Sequence, residues 1–197
     1  MKLKFPALLL LTGFAFSACQ KEVSYEVAAP NTGGSGNGGG GNGGGNTSGY
    51  YIKGKKDGTA FTFSANALAV VVDYTPTLGA GVGLGMHASP SATGIEALNI
   101  TIVLSTGNTV PTGTYSESNN GGFTQITTGT YIINSNLAWV AGVDPSPALP
   151  LKVVIQTKTS SVISGTFEGA FYKSDGAGNT TSEHITITEG SFNLPIQ

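Results

Sequence analysis

Leu98-Asn99-Ile100-Thr101-Ile102-Val103-Leu104-Ser105 puts an aliphatic side chain at every even position and, Val103 apart, a polar one at every odd position. Side chains repeat every second residue only along an extended chain, so this segment reads as a half-buried strand. Val82, Leu84, Met86 and Ala88 alternate with Gly83, Gly85 and His87 in the same way. Leu151 to Thr159 and Val162 to Tyr172 flank Ser160-Ser161 and read as the two arms of a long hairpin. On the second arm Ile163, Phe167 and Phe171 share a face with Gly165 and Gly169. That spacing predicts side chains from a facing sheet filling the gaps over the glycines.

Further strands are expected at Tyr50–Lys53, Phe61–Ser64, Leu68–Tyr74, Thr130–Ile133 and Leu137–Val140. Asp57-Gly58 and Asn120-Gly121 are hairpin-type turn signals. Near the end of the chain Ile185 and Ile187 hold one parity, whereas Phe192 and Leu194 hold the other. A strand that changes faces needs an extra residue, which predicts a β-bulge at Glu189-Gly190 with the glycine taking the positive φ. No segment carries a 3.6-residue period. The expected fold is all-β, an antiparallel β-sandwich or flattened barrel of roughly 8–11 strands.

Three regions precede or make up that domain. Met1-Lys2-Leu3-Lys4, the apolar run Phe5–Phe16, Ser17-Ala18 and then Cys19 resemble the signal peptide and lipobox of bacterial lipoproteins. Phe16 stands where a lipobox usually has leucine. The apolar run is shorter than the ~20 residues needed to span a bilayer. Residues 1–18 are therefore read as a lipoprotein signal peptide, and Cys19, the only cysteine, as the acylated N-terminus of the mature chain. No internal disulfide is then possible, so the domain rests on core burial alone. Residues 19–49 form a Gly/Asn-rich linker, with Asn31 to Gly49 built only from Gly, Asn, Ser and Thr. Such a segment has no apolar surface to offset its conformational entropy and is expected to be a disordered tether. Its root-mean-square reach is on the order of 30 Å. Residues 50–197 are long enough for a single domain with its own core.

The segments 54–61 (Gly-Lys-Lys-Asp-Gly-Thr-Ala-Phe), 110–115 (Val-Pro-Thr-Gly-Thr-Tyr), 163–169 (Ile-Ser-Gly-Thr-Phe-Glu-Gly) and 187–193 (Ile-Thr-Glu-Gly-Ser-Phe-Asn) resemble those of a Bacteroidota lipoprotein family. That family has a β-rich domain and no assigned function, so the resemblance implies compartment and fold and transfers no catalytic residue. With it comes an expected address at the outer membrane, held by lipid. Gln20-Lys21-Glu22 resembles the charged triplet that directs such lipoproteins outward, while a periplasmic face is the alternative. Thr-Gly-Thr-Tyr occurs twice, at 112–115 and 128–131, which reads as strand-entry chemistry.

The domain carries six lysines, nine acidic side chains and no arginine. Nucleic acid is excluded as a partner because phosphate neutralisation needs a basic patch. His87 and His184 are the only histidines, and no Gly-x-Ser-x-Gly elbow accompanies them. Glu96, Glu117, Glu168, Glu183 and Glu189 could supply the paired carboxylates of a glycosidase, but sequence does not set their separation. Asp175 to Asn179 resembles a calcium loop without its closing glutamate, so no metal or cofactor is expected. The aromatic residues Trp139, Tyr74, Tyr115, Tyr131 and Tyr172 are the candidate ligand-binding rings, a platform for sugars. The favoured reading is a non-enzymatic binding or scaffolding domain, with an extracellular polysaccharide or an envelope protein as partner. A small hydrolase using carboxylates or His184, and a purely structural assembly partner, are the alternatives.

Overall fold

A computed structural model describes residues 49–73, 81–116, 124–142, 149–175 and 179–197. Cys19, the tether up to residue 48, Tyr74, Glu117 and the Asn120-Gly121 signal lie outside these residues. None of the described residues is helical. They form eleven strands, β1 (Tyr51–Lys56), β2 (Thr59–Phe63), β3 (Ala65–Asp73), β4 (Val82–Ser89), β5 (Ala97–Leu104), β6 (Gly113–Ser116), β7 (Gln125–Asn134), β8 (Leu137–Ala141), β9 (Lys152–Lys158), β10 (Val162–Ser174) and β11 (Thr180–Pro195). The fold is all-β, as the two-residue period requires.

The strands make one antiparallel sheet in the order β2-β1-β11-β10-β8-β7-β5-β4-β3. It forks at β10, whose first half pairs with β9 and whose second half pairs with β8, while β6 adds to β9. The sheet curls into a nearly closed barrel. β2 runs through Ser64 directly into β3, and Ala69 bridges to Ile196 at the far end of β11. The Gln197 amide completes the seam by donating to the Ala69 carbonyl at 2.9 Å. Asn66, at φ 51°, turns this corner. Closure removes most of the free edges that would invite pairing with other chains.

The turns obey local chemistry. Asp57 and Gly58 both take positive φ, 47° and 81°, as a two-residue hairpin turn demands. The Asp57 carboxylate also accepts from the Thr186 amide at 2.7 Å, latching the turn to β11. Ser160-Ser161 joins β9 to β10, closed by Thr159, whose amide donates to the Val162 carbonyl at 2.8 Å.

Leu84, Met86, Leu98, Ile100, Ile102, Tyr131, Phe171 and Phe192 fill the interior, each below 2% exposure. Core burial of this kind carries the stability, because all three ion pairs among the described residues are solvent-exposed. The glycines of β10 are covered differently from the expectation. A Cβ on Gly165 would strike the Val154 carbonyl and come within 2.7 Å of the Phe192 ring. Phe192 is the register partner of Gly165 on the adjacent strand, not a residue of a facing sheet. Phe167 covers Gly190 in the reciprocal sense. A curled sheet needs this local filling, since the ring of one strand leans over the bare backbone of the next.

The bulge lies where the parity switch puts it. Lys53 pairs with Ser191 and Lys55 with Thr188, so Gly54 faces both Glu189 and Gly190. The positive φ, 51°, belongs to Glu189 and not to the glycine. Gly190 is glycine for a steric reason instead: its position is occupied on the core side by the carbonyl and ring of Phe167. Of the two Thr-Gly-Thr-Tyr strings, the first opens β6 and the second falls in mid-β7, so strand entry describes only one of them.

Candidate functional site

An exposed aromatic platform is not what the described rings form. Trp139, Tyr115, Tyr131 and Tyr172 are all buried, at 7%, 5%, 1% and 7% exposure. For Tyr115, Tyr131 and Trp139 the physical reason is parity, whereas Tyr172, next to the core residue Phe171, faces the other way and is covered beside His184. Tyr131 and Trp139 are cross-strand partners on the core face of β7 and β8, and Tyr115 points inward from β6. Tyr115 donates its hydroxyl to the Pro111 carbonyl at 2.6 Å, and Tyr131 donates to Glu96 Oε1 at 2.6 Å. Lys56 sits over the Tyr131 ring, 4.9 Å from its centroid, and Phe61 meets that ring edge-on. The buried Trp139 indole N–H has no acceptor among the described residues.

Burial pushes the Tyr131 hydroxyl well above its ordinary range, and the neighbouring Glu96 carboxylate adds to that; burial alone raises Tyr115. A raised folded-state value means the folded protein keeps a proton that the unfolded chain gives up. The stabilising contribution is therefore intact below the ordinary value of 10.0 and is lost as pH rises beyond it. In a spectrophotometric titration, Tyr115 and Tyr131 should ionise only as the alkaline protein unfolds, and Tyr131→Phe should remove one such late-titrating group. Early, reversible ionisation of every tyrosine in folded protein would contradict the buried placement.

Both histidines stand on the outer surface. His87 Nδ1 lies 2.6 Å from Asn99 Oδ1, its register partner on β5. His184 is exposed against the Tyr172 ring, 5.4 Å between centroids. In the loop after β10, Asp175 accepts from Asn179 through both carboxylate oxygens, at 3.0 and 2.9 Å. Among the described residues no three His, Cys, Asp or Glu side chains stand together.

The carboxylates that line one cleft are Glu168 and Glu189. Register pairs Phe167 with Gly190 and Gly169 with Ile187, so Glu168 faces the bulge residues Thr188 and Glu189. Both glutamates line an open cleft of ≈ 250 Å³ with Lys152, Thr166 and Ser191, floored by Phe167 and Gly190. The bulge creates this geometry: the extra residue lets Thr188 and Glu189 share the outer side. Each carboxylate has its own lysine. Lys55 Nζ reaches Glu189 Oε1 at 2.7 Å from β1, and Lys152 Nζ reaches Glu168 Oε1 at 3.8 Å from β9.

Glu168, Glu189 and the bulge were legible as separate features of the sequence. Their convergence with Lys55 and Lys152 depended on the register of four strands. Even the pairing of Lys152 with Glu168 needs a register shift between Ser164 and Gly165, since the β9–β10 turn alone would set Val153 opposite Glu168. Chemically the cleft offers carboxylate acceptors, ammonium donors and two hydroxyls on an open strand face. Neither carboxyl is enclosed, at 48% and 67% side-chain exposure, so both face solvent across the cleft. Compared with protein-family models, curated proteins and solved structures, the chain matches none.

Proposed function

We propose that this is a lipid-anchored protein of the cell envelope, acylated at Cys19, whose barrel is a binding module for a hydroxyl-rich polymer, a glycan, at the cleft over the β11 bulge. The observation that carries the reading is that Lys152, Glu168 and Glu189 line one open cleft with the Thr166 and Ser191 hydroxyls, Glu189 being held from beside it by Lys55. Carboxylates and hydroxyls make the directional hydrogen bonds that sugars need. An open strand face accepts a long chain where a closed pocket would not. The filled barrel interior favours an outside site, since side chains occupy the space in which other small barrels hold a ligand.

Calorimetry of the full chain in detergent against a polysaccharide panel tests the reading. Saturable heat with at least one member is expected, reduced about tenfold or more in affinity by Glu168→Gln with Glu189→Gln. Absence of heat with every member would sink the glycan assignment. Intact-mass measurement of the membrane-extracted protein tests the anchor, and an unmodified Cys19 would dismiss it. The opposed carboxylates favour one other reading, a glycoside hydrolase, because paired carboxyls are what that reaction uses. Turnover of glycoside reporters that disappears in Glu168→Gln would select it over simple binding.

A further inference from the structure

The three charged residues that line the cleft and Lys55 beside it fall in one line across four adjacent strands: Lys55 on β1, Glu189 on β11, Glu168 on β10 and Lys152 on β9. Their signs run plus, minus, minus, plus. The lysines reach their carboxylates from the outside of the row, at 2.7 and 3.8 Å. Between the two carboxylates the row has no cation, and like charges facing each other across strands repel. Such a row has no net charge, yet its centre is negative, because a charge placed there is nearer to both glutamates than to either lysine. The cleft opens this centre to solvent.

Resting on the glycan reading above, we propose that the cleft selects a polymer bearing free ammonium groups, an amino sugar without its acetyl group, and seats one ammonium between Glu168 and Glu189. The ammonium relieves the repulsion that the lysines leave in place, and it donates to both carboxylates at once. Thr166 and Ser191, register partners beside the charged row, offer their hydroxyls to the rest of the sugar ring. Glu189 reaches this position through the bulge, at a φ of 51° that costs a non-glycine residue about 1 kcal/mol. A neutral sugar gains only hydrogen bonds here, and an acidic one meets the negative centre.

The test titrates the full chain in detergent, at low ionic strength and mildly acidic pH, with matched oligomers of glucosamine, N-acetylglucosamine and glucose, and with calcium chloride alone. The glucosamine oligomer should bind about tenfold more tightly than the other two, the scale of two exposed charge pairs. Glu168→Gln or Glu189→Gln should abolish that preference. Lys55→Met should increase it by freeing Glu189, and Glu183→Gln, whose partner is Lys173 outside the cleft, should leave it unchanged. Equal affinity for the three oligomers would overturn the ammonium selection while leaving the glycan reading in place. No binding of any oligomer would overturn both. Calcium that binds alone and displaces the glucosamine oligomer would overturn the selection in favour of a cation site.

Discussion

Gly190→Ala should destabilise the domain by about 3 kcal/mol or more, read as a shift of the urea midpoint. The added Cβ lands on the Phe167 carbonyl oxygen and comes within 2.8 Å of two carbons of its ring. Neither obstacle can withdraw. Phe167 is paired on both sides, with Gly190 on β11 and with Val153 on β9, and its ring is 3% exposed in the core. The comparison that isolates this packing is Gly58→Ala. Gly58 has a φ of +81° and, among the described residues, nothing within 4 Å of its Cβ position, so its alanine meets a conformational penalty of about 1 kcal/mol. If the two substitutions cost the same, backbone conformation and not ring-over-glycine packing governs the bulge.

Phe171→Ala should cost about 3–5 kcal/mol, the range for emptying a buried phenylalanine site. Phe171 is fully buried, and its ring occupies the place a side chain on Gly129 would take, 2.6 Å from that Cβ position. Leu151 closes the same space from another side. A coupling follows from the shared volume. Gly129→Ala should destabilise the wild-type protein, yet be tolerated better in the Phe171→Ala background, where the new methyl group enters the cavity. A double-mutant cycle should return a coupling of about 1 kcal/mol or more in that sense. Strict additivity would mean that the two residues do not share the space.

The strands were legible because nearly every one has one wet and one dry face. The inward positions of Leu98 to Leu104 and Val82 to Ala88 line the core as the alternation requires, although Gly83 and Gly85 on the other side of β4 are buried as well. The bulge was legible for the same reason, since two runs of opposite parity cannot share a straight strand. Which bulge residue would bear the positive φ was not legible. That depended on Phe167 lying under position 190, a contact across strands that local preference does not contain. The choice between sandwich and barrel was also hidden, because it rests on a corner at Ser64–Asn66 and a seam at Ala69–Ile196.

The candidate site was only half visible. Aromatic residues in polar sequence surroundings look like a sugar platform, and sequence gives Tyr131 no outward sign of burial. Its hydroxyl goes to Glu96, 35 residues away, which satisfies the polar tip while the ring fills the core. Conversely, Lys55, Lys152, Glu168 and Glu189 look like scattered surface charges until four strands bring them into one row. A row across a sheet is set by register, and register is fixed by turns and bulges distant in the chain.

Backbone amide chemical-shift mapping, with an oligosaccharide fragment of whichever panel polysaccharide gives heat, tests most directly that the cleft over the bulge is the binding site. The largest perturbations should fall on 152–154, 166–168 and 189–191, the segments that line the cleft. Perturbations centred on Tyr131 and Trp139, or on the outer face of β3 to β5, would contradict it.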